Sequence, residues 1–179
     1  MAEQNVFLEN DKKHWDLASY MNYDGQERGN LGTDIPVIVY RLMEYSIREQ
    51  LIEQFGRNTQ VQIFRDAGHR AGMYFAQYVL DVTLELNEFI AELQARLEEM
   101  KIGVLRIESF DADTGKLTLT VSEDADCSGL PLLGETVCNY DEGFIAGILT
   151  VYMKKEYAAT EVDCWATGSR VCRFKVEPR

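Results

Sequence analysis

The chain has 179 residues, 46% of them hydrophobic, and a net charge of −12 from 30 acidic and 18 basic side chains. That length and balance fit one folded domain with a sizeable core, and they exclude disordered, collagen-like and coiled-coil classes. The acidic surface opposes counterion-releasing contact with nucleic acid and attraction to an anionic membrane, so neither is expected as a partner.

Residues 1–33 read as an N-terminal extension. Glycines and Asn/Asp residues mark turns there, and Leu17, Tyr20, Met21 and Tyr23 form a candidate hydrophobic clasp for a dimer. The start is polar and lacks an apolar run of signal-peptide length, and no stretch approaches 18 apolar residues. Cytoplasmic residence, with reduced thiols, is therefore the expectation.

The main domain is expected over residues 34–179. A first helix is predicted from Ile35 to Phe55, with Asp34 as N-cap, Pro36 in the first turn and Gly56 as the stop. Ile35, Ile38, Val39, Leu42, Met43, Ile47, Leu51 and Phe55 recur at helical spacing as its apolar face. A second helix, Thr59 to Leu80, carries Gly68 and Gly72 on one face. Two glycines cost a helix about 1 kcal/mol each, which implies close approach of another backbone or room for a ligand. A third helix is expected near Leu84 to Met100.

The period then changes to two. Val104 to Phe110 and Leu117 to Ser122 form a predicted hairpin with one buried face, turning at Asp113 to Lys116. The acidic run Glu123 to Asp126 reads as solvated surface. A fourth helix is predicted after Cys138, with Asn139 and Glu142 at capping-box spacing. Strands Ala159 to Trp165 and Val171 to Val176 close the chain through a turn at Gly168. The whole reads as an α+β domain, an antiparallel sheet covered by helices.

Cys164 and Cys172 are placed symmetrically about Gly168, so the last hairpin brings them together. Cys138 precedes a helix, where the positive end favours a thiolate. With Glu161 these three could close a tetrahedral set around zinc. Glu161 and Cys164 are three apart and fall on opposite faces of a regular strand, so the set requires a bulge. On spacing alone, half-buried cysteines of a reduced protein are the simpler reading.

Three segments together resemble the 4-vinyl-reductase domain family: Cys138 to Gly147 (with Gly143-Phe144 and Gly147), Glu161 to Cys164, and Gly168 with Cys172-Arg173-Phe174. That family includes the sensory domain of phenol- and xylene-responsive activators. The resemblance extends to Ile35-Pro36-Val37 through Met43 and to Ala67 through Gly72, spanning about Leu31 to Val176. It implies the NO-signalling/Golgi-transport ligand-binding fold. It also implies a structural zinc held by Cys138, Glu161, Cys164 and Cys172, a homodimer, and a pocket for a small hydrophobic or aromatic molecule. Cys127 lies outside the motif and is expected to be an ordinary cysteine at a strand end.

Candidate pocket residues are Phe64, Gly68, Gly72, Phe75, Phe89 and Phe144, placed between the second helix, the third helix and the sheet. The histidine that phenol sensors set against the ligand hydroxyl has no counterpart in Leu84 to Met100. No nucleotide-binding glycine loop, nucleophile elbow or zinc-protease motif appears, and four protein ligands would leave zinc no open position. The expected role is binding or sensing rather than catalysis. The alternatives are an accessory factor in tetrapyrrole or pigment metabolism and a protein-interaction module without a ligand.

Overall fold

The structure, a computed structural model, describes residues 16–21 and 28–179. The chain divides into two units, Met1–Asp34 and Ile35–Arg179. In the first, α1 (Leu17–Met21) opens on Asp16, whose carboxylate accepts the Ser19 amide and hydroxyl at 2.8 and 2.7 Å. Tyr23, part of the expected clasp, lies outside the described residues.

The second unit contains α2 (Val37–Phe55), α3 (Arg57–Tyr78), α4 (Leu86–Glu99), β1 (Val104–Asp111), β2 (Lys116–Ser122), α5 (Asn139–Met153), β3 (Tyr157–Asp163) and β4 (Cys172–Pro178). The strands form one antiparallel sheet in the order β1-β2-β4-β3. Register puts apolar rows on one face: Leu105, Val121 and Cys172 align across three strands, and Ile107, Leu119 and Phe174 form the next row. The chain is therefore an α+β fold with an antiparallel sheet partly covered by helices, as expected.

The α3–α5 contact is set by four glycines. A Cβ on Gly68 or Gly72 would overlap the carbonyl oxygen of Tyr140 or Phe144, and one on Gly143 or Gly147 would overlap that of Arg65 or His69. Each helix presents a Gly-x-x-x-Gly edge to the backbone of the other. Gly68 and Gly72 thus serve close helix packing rather than a ligand. Gly147→Ala is expected to destabilise the fold by about 3 kcal/mol or more, because the added methyl meets backbone that cannot rotate away. Urea unfolding measures it, and a loss below about 1 kcal/mol, the bottom of the overpacking range, would contradict the packing account.

Helix α2 reverses its expected orientation. Its apolar residues Ile38, Val39, Leu42, Met43 and Ile47 are exposed, whereas Glu44 and Arg48 are buried. The expected Asp34 cap is also displaced, since Pro36 occupies the N-cap position. The polar face docks because it meets loop groups that need partners. Tyr40 Oη donates to Asp126 Oδ1 (2.5 Å), Arg41 Nε to the Ala125 carbonyl (2.7 Å), and Arg48 Nη2 to Glu44 Oε1 (2.8 Å) and the Val137 carbonyl (2.7 Å).

Burial, with Asp126 nearby, pushes the Glu44 carboxyl up to about 7 against the pull of Arg48. Relative to the unfolded chain, the fold favours the protonated form, and the ion pair with Arg48 forms fully only above about pH 7. The contribution of the protonated form is complete below the ordinary value of 4.5 and is lost as pH rises through about 7. Glu44→Gln should therefore flatten the fall in stability between pH 5 and 8 by about 2–3 kcal/mol. Urea midpoints at the two pH values check this, and parallel profiles for variant and wild type would refute it.

Candidate metal centre and apolar pocket

Four fully buried thiols converge from separate parts of the main domain. Cys127 lies in the loop after β2, Cys138 is the N-cap of α5, Cys164 follows β3, and Cys172 opens β4. Their sulfurs all lie within 4.8 Å of one another. The bulge expected in β3 is present: Glu161 pairs with Phe174 and Asp163 with Arg173, so Val162 is extra. It lets Glu161 and Cys164 both turn inward. A tight turn at Trp165–Thr167 then reverses the chain. Gly168 has φ 102°, a conformation that disfavours a side chain, and it returns the strand to Cys172.

Cys127 belongs to this cluster, and its expected role as an ordinary strand-end cysteine is corrected. The Cys127–Cys172, Cys138–Cys172 and Cys138–Cys164 sulfur separations are 3.1, 3.7 and 3.9 Å. Four thiolates about 2.3 Å from a tetrahedral ion would stand about 3.8 Å apart, so the arrangement fits a thiophilic metal. Hydrogen bonds from Cys127, Cys138 and Cys172 hold the Cys164 thiol below its ordinary pKa.

Glu161 stands beside the sulfurs rather than among them. Its Oε2 accepts the Cys138 amide at 3.0 Å, and its Oε1 is buried without a hydrogen-bond partner. Burial, reinforced by Cys164, pushes its carboxyl up to about 8. Glu142, expected in a capping box, instead accepts the Glu161 amide at 2.9 Å and Arg65 Nε at 2.5 Å.

The acidic run after β2 is also not all surface. Glu123 is exposed, but Asp124 and Asp126 are buried. Asp124 Oδ1 accepts the amides of Asp126 and Cys127 at 2.7 and 3.3 Å, folding the loop so that Cys127 points inward. Helix α2 clamps this loop from outside, and Arg48 holds the segment leading to Cys138. No periodic signal marks these residues in the sequence.

An apolar cavity of about 40 Å³ lies between α4, α5 and the sheet. Its walls include Leu93 and Leu97 of α4, Leu105 and Leu119 of the sheet, and Phe144 and Ile148 of α5. Asp124 and Asp141, whose carboxyl oxygens lie within 4.8 Å of one another, also line it. A second cavity of about 170 Å³ shares Ile90, Ile107, Leu117 and Leu149 with the first and reaches Asn87, Phe110 and Met153.

Of the pocket residues expected from sequence, Phe144 lines this space. Phe75 packs edge-on behind it, with ring centroids 5.3 Å apart. Phe89 stacks on Tyr152 at 3.8 Å, and Phe64 lies under the Arg48 guanidinium at 4.6 Å. Gly68 and Gly72 face the α5 backbone. The pocket therefore opens on the sheet side of α5, while α3 covers the opposite side.

Fold and site together define an α+β domain with a buried thiol cluster at the end of an apolar space between helices and sheet. The chain belongs to the 4-vinyl-reductase domain family: residues 117–178, which hold all four cysteines, match that domain. Over 136 residues it is 30% identical to an uncharacterised protein of Methanocaldococcus jannaschii, covering 70% of this chain and 81% of that one. The phenol-responsive sensory domain of the transcription activator PoxR, solved with phenol, superposes with a TM-score of 0.63 at 14% identity, over 84% of this chain and 78% of that one. Trafficking protein particle complex subunit 3 of Naegleria fowleri, covalently bound to palmitic acid, gives 0.64 at 11% identity, over 80% and 95%. At such identities the likeness is one of fold, and it agrees with the NO-signalling/Golgi-transport ligand-binding architecture expected from sequence.

The ligand set is open to a direct test. After loading reduced protein with Zn²⁺, Cys127→Ser and Cys164→Ser should each lose the metal and lower the melting temperature, because metal binding contributes directly to folding. Glu161→Gln should keep it. Metal lost from Glu161→Gln and kept by Cys127→Ser would instead favour the set of three cysteines and one glutamate.

Proposed function

We propose that this protein is a non-enzymatic small-molecule binding or sensing domain. It takes a small hydrophobic or aromatic molecule into the space between α4, α5 and the sheet. The observation that carries this reading is that space itself: apolar side chains from helix and sheet surround it, with two carboxyl groups in its lining. Few orienting polar groups in an apolar setting is the usual character of such sites. The phenol bound by the similar sensory domain supports the same reading.

The four cysteines hold a structural zinc in this reading. Thiolates prefer zinc to magnesium or calcium, and four protein ligands leave no position for a reacting water. Zinc would tie the loop after β2, the start of α5 and the β3–β4 turn into one rigid end. Reduced thiols call for a compartment such as the cytoplasm. Among the described residues, no helix is long and apolar enough to cross a membrane. The net charge of −12 argues against a nucleic-acid partner.

The protein acts as a homodimer in this reading. The support is the outward apolar stripe of α2, where Ile38 is 66% and Leu42 71% exposed. Such a contiguous stripe marks an interaction face. Ile38→Glu with Leu42→Glu should shift the sedimenting species from twice the chain mass to 20.5 kDa. Wild type sedimenting at 20.5 kDa at high micromolar concentration would refute the dimer.

Native mass spectrometry of protein purified from its source tests the whole reading, with one zinc per chain, a dimer and a bound small molecule expected. Thermal shifts against aromatic and aliphatic compounds test the pocket separately. No bound molecule and no stabilisation by any compound would favour the protein-interaction alternative.

A further inference from the structure

Helix α2 acts on two sides at once. Its inward side chains reach groups next to the cysteines. Tyr40 and Tyr45 donate to the Asp126 carboxylate and carbonyl at 2.5 and 3.1 Å, and Arg41 donates to the carbonyls of Ala125 and Ser128 at 2.7 and 2.8 Å. Arg48 donates to the Val137 carbonyl at 2.7 Å and to Asn139 Oδ1 at 3.1 Å. Each of these bonds ends within two residues of Cys127 or beside Cys138. The chain from 123 to 138 is loop and turn throughout, so side chains, rather than a helix or a sheet ladder, hold much of it in place.

The outward side is laid out for a second copy of the chain. Ile38, Val39, Leu42, Met43 and Ile47 are exposed over the first part of the helix, and Glu49 and Glu53 are exposed after them. Two copies packed antiparallel about Leu42 would set the apolar stretches against each other. They would also hold the two Glu49 side chains about 21 Å apart along the axis, at 1.5 Å per residue. That exceeds the screening length of about 8 Å at physiological salt. A parallel pair would stack these carboxylates on each other, so charge selects the antiparallel pair.

We propose that α2 couples metal binding to dimerisation: a metal held by the four cysteines strengthens the pairing of two copies through α2, and pairing strengthens metal binding. Thiolates that share one ion fix Cys127 and Cys138. They thereby fix the carbonyls and the Asp126 carboxylate that the inward side of α2 takes. That engagement keeps the apolar side outward, where the second copy meets it. Without the ion those acceptors are free to shift, and α2 gains by turning its apolar residues toward the domain, away from the partner. Coupling of this kind is reciprocal in binding free energy.

This inference rests on the zinc and homodimer readings, and the test separates it from both. The zinc affinity of the reduced full chain is measured by competition with a chromophoric chelator. Wild type, well above its dimerisation midpoint, is compared with the Ile38→Glu/Leu42→Glu variant. The variant is expected to bind zinc at least fivefold more weakly, about the lower end of usual coupling. Its added carboxylates attract a cation, so they cannot themselves produce that loss. In an Arg41→Met background, which removes the Arg41 bonds to the loop, the same two affinities should fall within twofold of each other. Sedimentation equilibrium reads the converse: zinc-loaded wild type should dimerise at least fivefold more tightly than chelator-treated protein.

Equal zinc affinity in dimeric wild type and the charged variant overturns the coupling and leaves the zinc and the dimer standing. That comparison decides the point even if metal-free or Arg41→Met protein fails to fold. Coupling that survives Arg41→Met unchanged does not run through the inward bonds of α2 and also overturns the proposal. Wild type that stays at 20.5 kDa at high micromolar concentration overturns the dimer and this inference with it. Wild type that binds no zinc overturns the metal reading and this inference with it.

Discussion

Four buried sulfurs within 4.8 Å of one another are the constraint around which this domain is arranged. Each arrives on a different device. A loop folded over an aspartate delivers Cys127, a helix N-terminus delivers Cys138, a bulged strand end delivers Cys164, and the strand that returns after Gly168 delivers Cys172. None of these devices is stable by virtue of its own local sequence. The Cys127 loop in particular buries two carboxylates, a costly choice unless partners are provided. Helix α2 provides some of them by turning its polar face inward, with Tyr40 on Asp126 and Arg41 on the loop carbonyls.

That choice explains the exposed apolar stripe. A helix has one face to give, and here the loop's need for hydrogen bonds takes the polar one. The hydrophobic residues are then left outward. Glu44 and Arg48, the most buried charged pair of α2, sit between the two demands: they are salt-bridged at 2.8 Å, and Arg48 also reaches Val137 and Asn139 beside Cys138.

Helix α5 links cluster and pocket. Its glycine edge sits against α3 so closely that no side chain fits between them, which holds it in place. Its start carries Cys138 and Asp141, and its sheet-facing side forms a wall of the apolar cavity. The apolar cavity and the thiols therefore share a rigid element.

Much of this was legible in the chain. Helical spacing located α2 through α5, alternation located the strands, and the placement of Cys164 and Cys172 about Gly168 announced their meeting. The need for a bulge between Glu161 and Cys164 also followed from strand geometry alone. Periodicity, however, reports that a face is apolar and not what it packs against. It therefore assigned the α2 stripe inward and gave Gly68 and Gly72 a choice between ligand and backbone. Cys127 and the buried Asp124 and Asp126 sit in a loop, where no period exists to read, and their burial depends on α2 arriving from more than 80 residues away. The sequence by itself determined the elements and most of the clustered sulfurs, because those rest on local geometry. Only the tertiary structure decided the fourth sulfur, the side of α5 on which the pocket opens and the outward face of α2, because each is settled by competition between distant groups for the same buried space.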